Sequence, residues 1–428
     1  MMNNIKSKNN IYTLMVIVTF IFALKFFEST PFESIFFQLQ AVYLAFILLF
    51  LIAFVVLMTV NNLAINKVSF YYLILIITIP IYSAYRSHAE FGQPFLYGVL
   101  TERGWLLFGT GIWFYYILMT KKVTFATMEA SFVFMAWASF IIFSLFILTF
   151  DPSQLQNSDE ASKFVQMTSS RGLRFKFQNF FISFGAIYYF IKYSMKKNPV
   201  DLIFLSLFLI YVLFVIQGRG YMLTLAATFF LYYWLNYSLP KFLLTMLKLV
   251  LFVSFALLII QIIMPEYITQ MGNLYSQMFQ VLAGGESEDS SANARIFESL
   301  IVFDYFNAHN LSIWLGTGKI SQQWNDGYES IFGYFYPSDI GILGGVFVYG
   351  ISGFIALIII PFIMVIKVLR VSVCKNDIFP LSLKYVLIFV LIGSIQGSFY
   401  FDYVTYVIPL FILIAYNKLF KRAVGEDG

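Results

Sequence analysis

The sequence predicts an all-α polytopic membrane protein, and three observations carry that prediction. Hydrophobic residues make up 60% of the 428 positions and charged residues only 11%, whereas soluble domains run near about a quarter charged. Apolar runs recur along the chain at the length of roughly 20 residues that a helix needs to cross a bilayer. Fifty-two Phe and 29 Tyr supply rings for lipid-facing and interfacial positions. A soluble chain of this length would divide into about two or three domains; this composition predicts instead a single integral membrane domain spanning 1–428.

Twelve apolar runs are predicted as spans, at 11–27, 39–60, 68–84, 104–120, 127–149, 177–195, 200–216, 221–237, 242–263, 338–366, 384–400 and 402–417. The first follows Lys6 and Lys8 and lacks a small-x-small cleavage site, so it reads as an uncleaved first helix. A lone Cys374 leaves no disulfide framework within the chain and no cysteine-based metal cluster. No repeat period, heptad array or pair of matching interrupted helices is visible, which speaks against a transporter built on inverted repeats.

Orientation follows from the lysines and arginines of the short connections. With the N-terminus inside, inner connections carry Lys6, Lys8, Lys67, Lys121, Lys122, Lys192, Lys196, Lys197, Lys241, Lys367, Arg370, Lys375, Lys384, Lys418, Lys421 and Arg422, sixteen of the 27 basic residues. Outer connections carry ten: Lys25, Arg86, Arg103, Lys163, Arg171, Arg174, Lys176, Arg219, Arg295 and Lys319, with Lys248 inside a run. The predicted topology is N-in and C-in. Six of those ten outer cations are Arg, against two of the sixteen inner ones. Arginine binds phosphate or carboxylate with two parallel donors, so its outer enrichment points to an anionic ligand arriving from that side. The net charge of +5 is scattered over segment ends and implies no nucleic-acid partner.

One long polar interval interrupts the apolar pattern. Residues 264–337 form the predicted large extracytoplasmic loop between spans nine and ten. Its Gly284–Ser291 tract (Gly-Gly-Glu-Ser-Glu-Asp-Ser-Ser) reads as a solvated flexible stretch. Ile296, Leu300 and Phe303, flanked by Arg295 and Glu298, have the spacing of an amphipathic helix.

Three outer clusters carry chemistry. Arg171-Gly172-Leu173-Arg174-Phe175-Lys176 places three cations within six residues, either a phosphate grip or a basic interfacial anchor. Gln217-Gly218-Arg219-Gly220 holds an arginine between glycines almost at membrane depth, where an unpaired charge is costly and glycine permits close backbone approach; the bland alternative is an arginine reaching for lipid headgroups. Asn293-Ala294-Arg295-Ile296-Phe297-Glu298 is the third, and its bland reading is an exposed Arg295–Glu298 pair worth under about 1 kcal/mol. His88 and His309 are far apart in the sequence and give no metal-ligand set. Nucleotide-binding, serine-hydrolase and zinc-peptidase motifs are missing, so energy for a reaction outside would arrive with an activated substrate.

Together these strings resemble the O-antigen polymerase/ligase superfamily. The topology resembles it over most of the chain; the motifs are short. Gln217-Gly218-Arg219-Gly220 is similar to the family's arginine–glycine turn, Asn293-Ala294-Arg295 to its loop motif, Gly316-Thr317-Gly318 to its Gly-x-Gly turn and Asp339-Ile340-Gly341-Ile342-Leu343-Gly344 to the glycine-rich entry of span ten. Arg171–Phe175 and Gln93-Pro94-Phe95-Leu96-Tyr97-Gly98 resemble the polymerase branch. Counting back from Gly341 to the position of the ligases' histidine lands on Glu329-Ser330, a departure that favours polymerase over ligase.

The resemblance implies a glycosyltransferase of the bacterial cytoplasmic membrane that works on its outer face without cofactor or metal. Donor and acceptor would be undecaprenyl-diphosphate-linked oligosaccharides, with membrane lipids and a chain-length regulator as further partners. Breaking a sugar–diphosphate bond builds negative charge on the leaving group, which fixed cations stabilise. Arg219 and Arg295 are the expected clamp; Arg171, Arg174, Lys176 and His309 are further substrate contacts. A general base must reach the acceptor hydroxyl, and Glu329, Asp339, Glu298 and His309 rank in that order. Trp314, Trp324, Tyr328, Tyr334 and Tyr336 are placed to stack on sugars or to pack the loop. The alternatives are a ligase transferring glycan to lipid A core and a lipid-linked oligosaccharide flippase.

Overall fold

The structure, a computed structural model, describes residues 10–60, 66–150, 165–168, 172–238, 290–370, 377–394 and 404–424, with scattered positions within 240–262. Among these the architecture is helical, with one short hairpin. The first elements are α1 (Asn10–Ala23), α2 (Glu33–Val60), α3 (Lys67–Phe91), α4 (Phe95–Thr101), a 3-10 segment (Glu102–Phe108) running into α5 (Gly109–Met119), and α6 (Phe125–Thr149). Strands β1 (Val165–Thr168) and β2 (Gly172–Phe175) pair antiparallel, Val165 opposite Phe175. Then come α7 (Phe180–Lys196), α8 (Pro199–Tyr211) continued by a π turn (Val212–Ile216), and α9 (Arg219–Asn236). In the loop lie α10 (Ser290–Ala308), α11 (Asn310–Leu315) and α12 (Glu329–Phe332). The chain closes with a 3-10 turn (Pro337–Ile340), α13 (Gly341–Phe354), a π turn (Ile355–Ile359), α14 (Ile360–Leu369), α15 (Ile378–Gly393) and α16 (Val407–Val424).

Among the described residues, five stretches are long and apolar enough to cross a membrane: Glu33–Val56, Lys67–Phe91, Phe125–Thr149, Pro199–Ile216 and the composite Pro337–Leu369. Ile11–Ala23 and Ile378–Gly393 are shorter apolar helices. Most of the ninth predicted run, 242–263, lies outside the described residues, as do all of 264–289 of the loop and 395–403.

Aromatic packing holds the bundle together. Phe20 of α1 meets Phe132 of α6 at a centroid distance of 4.6 Å, and Phe132 meets Phe184 of α7 at 4.8 Å and Phe379 of α15 at 5.4 Å. Glycine sets the closest helix approach. A Cβ on Gly111 of α5 would lie 2.5 Å from Phe411 and 2.6 Å from Val407 of α16, so these two helices pack as small-residue interfaces do in lipid.

Helix α3 runs seven residues beyond its predicted end at 84, to a left-handed Gly92 that takes a backbone bond from its N–H to His88. Arg86 and Glu90, read from sequence as loop residues, therefore ride on a helix face. Helix α15 begins six residues before its predicted start, so Lys384 sits in its second turn.

The larger correction concerns span ten. It was expected as one helix over 338–366, but Gly350 (φ 71°, ψ 177°) breaks it. The cause is loop backbone pressed against it: a Cβ on Gly316 would lie 2.4 Å from the Gly350 nitrogen and from the Val348 oxygen. Carbonyls freed by the break are taken up by the loop, with Thr317 N–H donating to Phe347 O at 2.9 Å and Gly318 N–H to Val348 O at 2.8 Å. Irregular backbone inside a membrane bundle needs this kind of replacement pairing.

Candidate functional site

Helix ends identify the two faces of the bundle. Lys122 stacks over the rings of Tyr12 and Tyr116, Lys418 donates to Tyr115, and Lys192 pairs with buried Asp201 at 2.9 Å. Thus the start of α1, the ends of α5, α7 and α16 and the start of α8 share contacts on one side. The opposite ends of α1 and α7 bound a cavity of about 440 Å³.

That cavity is lined by Glu28 and Ser29, by Glu33 at the first residue of α2, by Lys176 to Phe180 leading into α7, by Ser183, by Tyr221 in the first turn of α9, by Phe389 and Val390 near the end of α15, and by Thr405 just before α16. Four helices, α2, α7, α9 and α16, thus begin at or beside its wall. A helix start carries roughly half a positive charge, set here beside Lys176 and against the carboxylates of Glu28 and Glu33, which line the same cavity.

The side chains add to this. Lys176 is exposed and lines the cavity. Lys25 holds Glu28 at 2.9 Å. Tyr221 Oη donates to Asn179 O at 3.2 Å and bonds to Ser183 Oγ, which ties the starts of α7 and α9 together. Thr405 Oγ1 is buried with no hydrogen-bond partner among the described residues.

Of the residues singled out from the sequence, Lys176 lines the cavity, and the Arg219 turn stands two residues before the lining Tyr221. A left-handed Gln217 (φ 49°) follows the π turn, Gly218 precedes the helix, and Arg219 is the first residue of α9. Arg171 lies outside the described residues, as do the side chains of Arg174 and Arg219. Glu28 and Glu33 were missed. Both fall in the short connection between the first two runs, and nothing in their spacing marks them until α2 and α7 bring them beside Lys176.

The other predicted residues gather in the loop. Arg295 is exposed on α10, whereas Glu298 on the same helix is fully buried, so the expected surface pair does not form. Glu298 Oε1 instead accepts the Tyr336 N–H at 3.0 Å, and its Oε2 has no partner among the described residues. Burial pushes its carboxyl up; the nearby Asp339 charge adds to the rise, while the Tyr336 N–H and Arg295 oppose it. Arg295, Glu298 and Asp339 are thus brought together, with Asp339 exposed. Glu329, the first-ranked base, is exposed on α12 and does not line the cavity at the helix starts. His309 is also exposed, stacked on Tyr305 with centroids 4.3 Å apart.

A second polar group that the sequence did not reveal clamps this loop to α3. Arg86 donates through Nε to Gly316 O and through Nη2 to Glu90 Oε2, both at 2.9 Å. Glu90 Oε1 accepts from Tyr305 at 2.8 Å and Ser312 at 2.6 Å. Buried Gln93 donates to Lys319 O at 3.2 Å and accepts from Ser321 N–H at 2.7 Å. The Gln93 and Gly316-Thr317-Gly318 strings, far apart in sequence, therefore meet. Among the described residues no group of three or more His, Cys, Asp or Glu is placed to hold a metal ion.

Compared with known proteins, the chain matches no protein-family model and no curated sequence.

Proposed function

We propose that this chain is a membrane glycosyltransferase that polymerises polyprenyl-diphosphate-linked oligosaccharide repeat units on the outer face of the bacterial cytoplasmic membrane. The observation that carries this reading is the convergence of four helix starts and Lys176 on one cavity. A diphosphate headgroup, whose lipid tail stays in the bilayer, would lie between the ends of apolar helices beside Lys176, with Glu28 held by Lys25 and Glu33 as the carboxylate for proton transfer. The twelve-span, N-in and C-in arrangement is part of the proposal. It is supported by the meeting of Lys122, Lys192 and Lys418 with partners on the side of the bundle away from the cavity.

In the reaction, the acceptor hydroxyl oxygen attacks the anomeric carbon of the donor glycan. The C–O bond to the diphosphate breaks, the new glycosidic C–O bond forms, and the polyprenyl diphosphate leaves with the electron pair. Helix starts and Lys176, with Arg219 opening α9, stabilise the charge growing on the diphosphate. Glu33 shares the cavity and takes the acceptor proton, the role that sequence reasoning had given first to Glu329.

The break at Gly350 favours the flippase alternative, since transporters use interrupted helices to line a path. Against it, the carbonyls of Phe347 and Val348 are bonded to the loop and so are not offered to a passing substrate. The deciding experiment gives purified protein lipid-linked repeat units in detergent with a chelator and resolves products on a gel. A ladder rising by one repeat supports the polymerase; transfer only when lipid A core is added makes it a ligase; no transfer to either removes the glycosyltransferase reading.

A further inference from the structure

Helix α11 is bonded to two membrane-crossing stretches at positions well inside them. Ser352 Oγ donates to Trp314 O at 2.9 Å, and Tyr82 Oη donates to Leu315 O at 2.6 Å. Ser352 belongs to the stretch that ends at Leu369, and Tyr82 to the one that begins at Lys67. At the rise of an α-helix the two contacts lie about 26 Å and about 23 Å from those ends, inside a hydrocarbon core of roughly 30 Å. We propose that α10 and α11 dock on the lipid of the outer leaflet, α11 entering the acyl region and α10 lying at its boundary with the headgroups, as interfacial helices do. The name of the leaflet rests on the orientation proposed above; the contact with lipid does not.

The outward side chains match that depth. Leu311 is 65% and Trp314 60% exposed, and an indole at the membrane boundary is a common anchor. Next to Tyr82, α3 exposes Ile81 and Tyr85, and next to Ser352 the π turn exposes Ile355. Apolar side chains on a span at this level face acyl chains, so α11 continues the lipid-facing band of its two neighbours. Helix α10 extends the patch with Ile296, Phe297, Leu300 and Phe303, each about half exposed. Six large apolar side chains on one water-facing loop would mark a docking surface, and the surface they adjoin is the bilayer. Asn293, Asp304 and Asn307 are exposed on α10 as well, which places that helix at headgroup level and not in the acyl core.

Backbone can enter lipid only where its polar groups are paired, and those that follow α11 are. Gly316 N–H donates to Ser312 O at 2.8 Å, and Gly316 O accepts Arg86 Nε. Thr317 and Gly318 donate to Phe347 O and Val348 O, and Lys319 N–H donates to Ser83 Oγ at 2.9 Å. Docking also holds Arg295, exposed beside Ile296, at the height of lipid headgroups, where a lipid-linked diphosphate carries its charge.

The test places nitroxide labels on full-length protein in liposomes of phosphatidylethanolamine and phosphatidylglycerol. In a Cys374→Ser background, Leu311→Cys, Trp314→Cys, Leu300→Cys and Phe303→Cys are compared with Ile77→Cys, on the exposed face of α3, and Glu329→Cys, on the exposed face of α12. Collision with oxygen reports lipid, and collision with a water-soluble nickel chelate reports water. Expected is an oxygen-to-nickel ratio at 311 and 314 equal to that at 77, and ratios at 300 and 303 between those at 77 and 329. Ratios at 311 and 314 equal to that at 329 put the loop in water and overturn the docking. Low collision with both reagents means that protein covers the face, either residues 264–289 or a second copy, and overturns it too. If the labelled variants fail to fold, the native indole decides. Trp314→Phe should lose part of the tryptophan emission that lipids brominated on the acyl chain quench, and an unchanged quenched fraction overturns the docking. A repeat-unit ladder from protein whose labels sit in water would remove the docking and leave the polymerase; labels in lipid without a ladder would do the reverse.

Discussion

At the scale of single residues, position relative to helix ends decides what a charge can do. Lys176 lies on the cavity where four helices start, so Lys176→Ala should lower polymer formation by about tenfold or more, while Lys176→Arg retains most of it. Glu33→Gln, if Glu33 is the base, should cost about a hundredfold with membrane abundance unchanged. Turnover equal to wild type would return the role to Asp339. Glu298 makes a different prediction, about pH. Its folded carboxyl titrates above the ordinary glutamate value because it is buried. Its contribution to loop stability is therefore full in acid and falls as pH rises from the ordinary value through the folded one. Hydrogen exchange across 290–308 should accelerate over that window in wild type. Glu298→Gln, which keeps an acceptor for Tyr336, should flatten the dependence; an unchanged profile would remove Glu298 as its source.

At the scale of elements, the loop is positioned by close backbone contact with two helices. A Cβ on Gly318 would meet the backbone of α3 at Ser83 O, 2.3 Å, and Ser87 N, 2.4 Å, from a residue already at φ 78°. Gly318→Ala should destabilise the loop by roughly 1–3 kcal/mol through overpacking and strain, read as a lower thermal midpoint and faster exchange in 310–321. Gly327→Ala is the control: it has the same backbone sign (φ 67°), but its nearest atom would be 3.2 Å away. Equal losses from the two would show that strain, and not contact with α3, governs the loop. That α10 is a helix was legible because its spacing is local, but the face read as apolar, Ile296, Leu300 and Phe303, is exposed, while Glu298, Val302 and Phe306 are buried. The length of α3 was not legible, since its last two turns are polar and are held by Gly316 O, Tyr305 and Ser312, more than two hundred residues away.

At the scale of the whole molecule, the two faces of the bundle predict a labelling pattern. In a Cys374→Ser background, Ser29→Cys should react with a membrane-impermeant thiol reagent in intact cells, and Lys197→Cys only after permeabilisation. The reverse pattern would invert the proposed topology and move the cavity to the cytoplasm. Hydropathy determined by itself that this is a helical membrane protein, because each apolar run must bury its own backbone bonds in lipid whatever its neighbours are. The charged connections and the glycine-flanked Arg219 turn were equally visible, being short and contiguous. Only the tertiary structure brought Glu33, Lys176, Tyr221 and Thr405 to one wall, set the backbone of Gly316 against Gly350, and turned Glu298 inward. Those outcomes depend on how helices stack end to end across the bundle, and contact between distant segments leaves no period or spacing in either one.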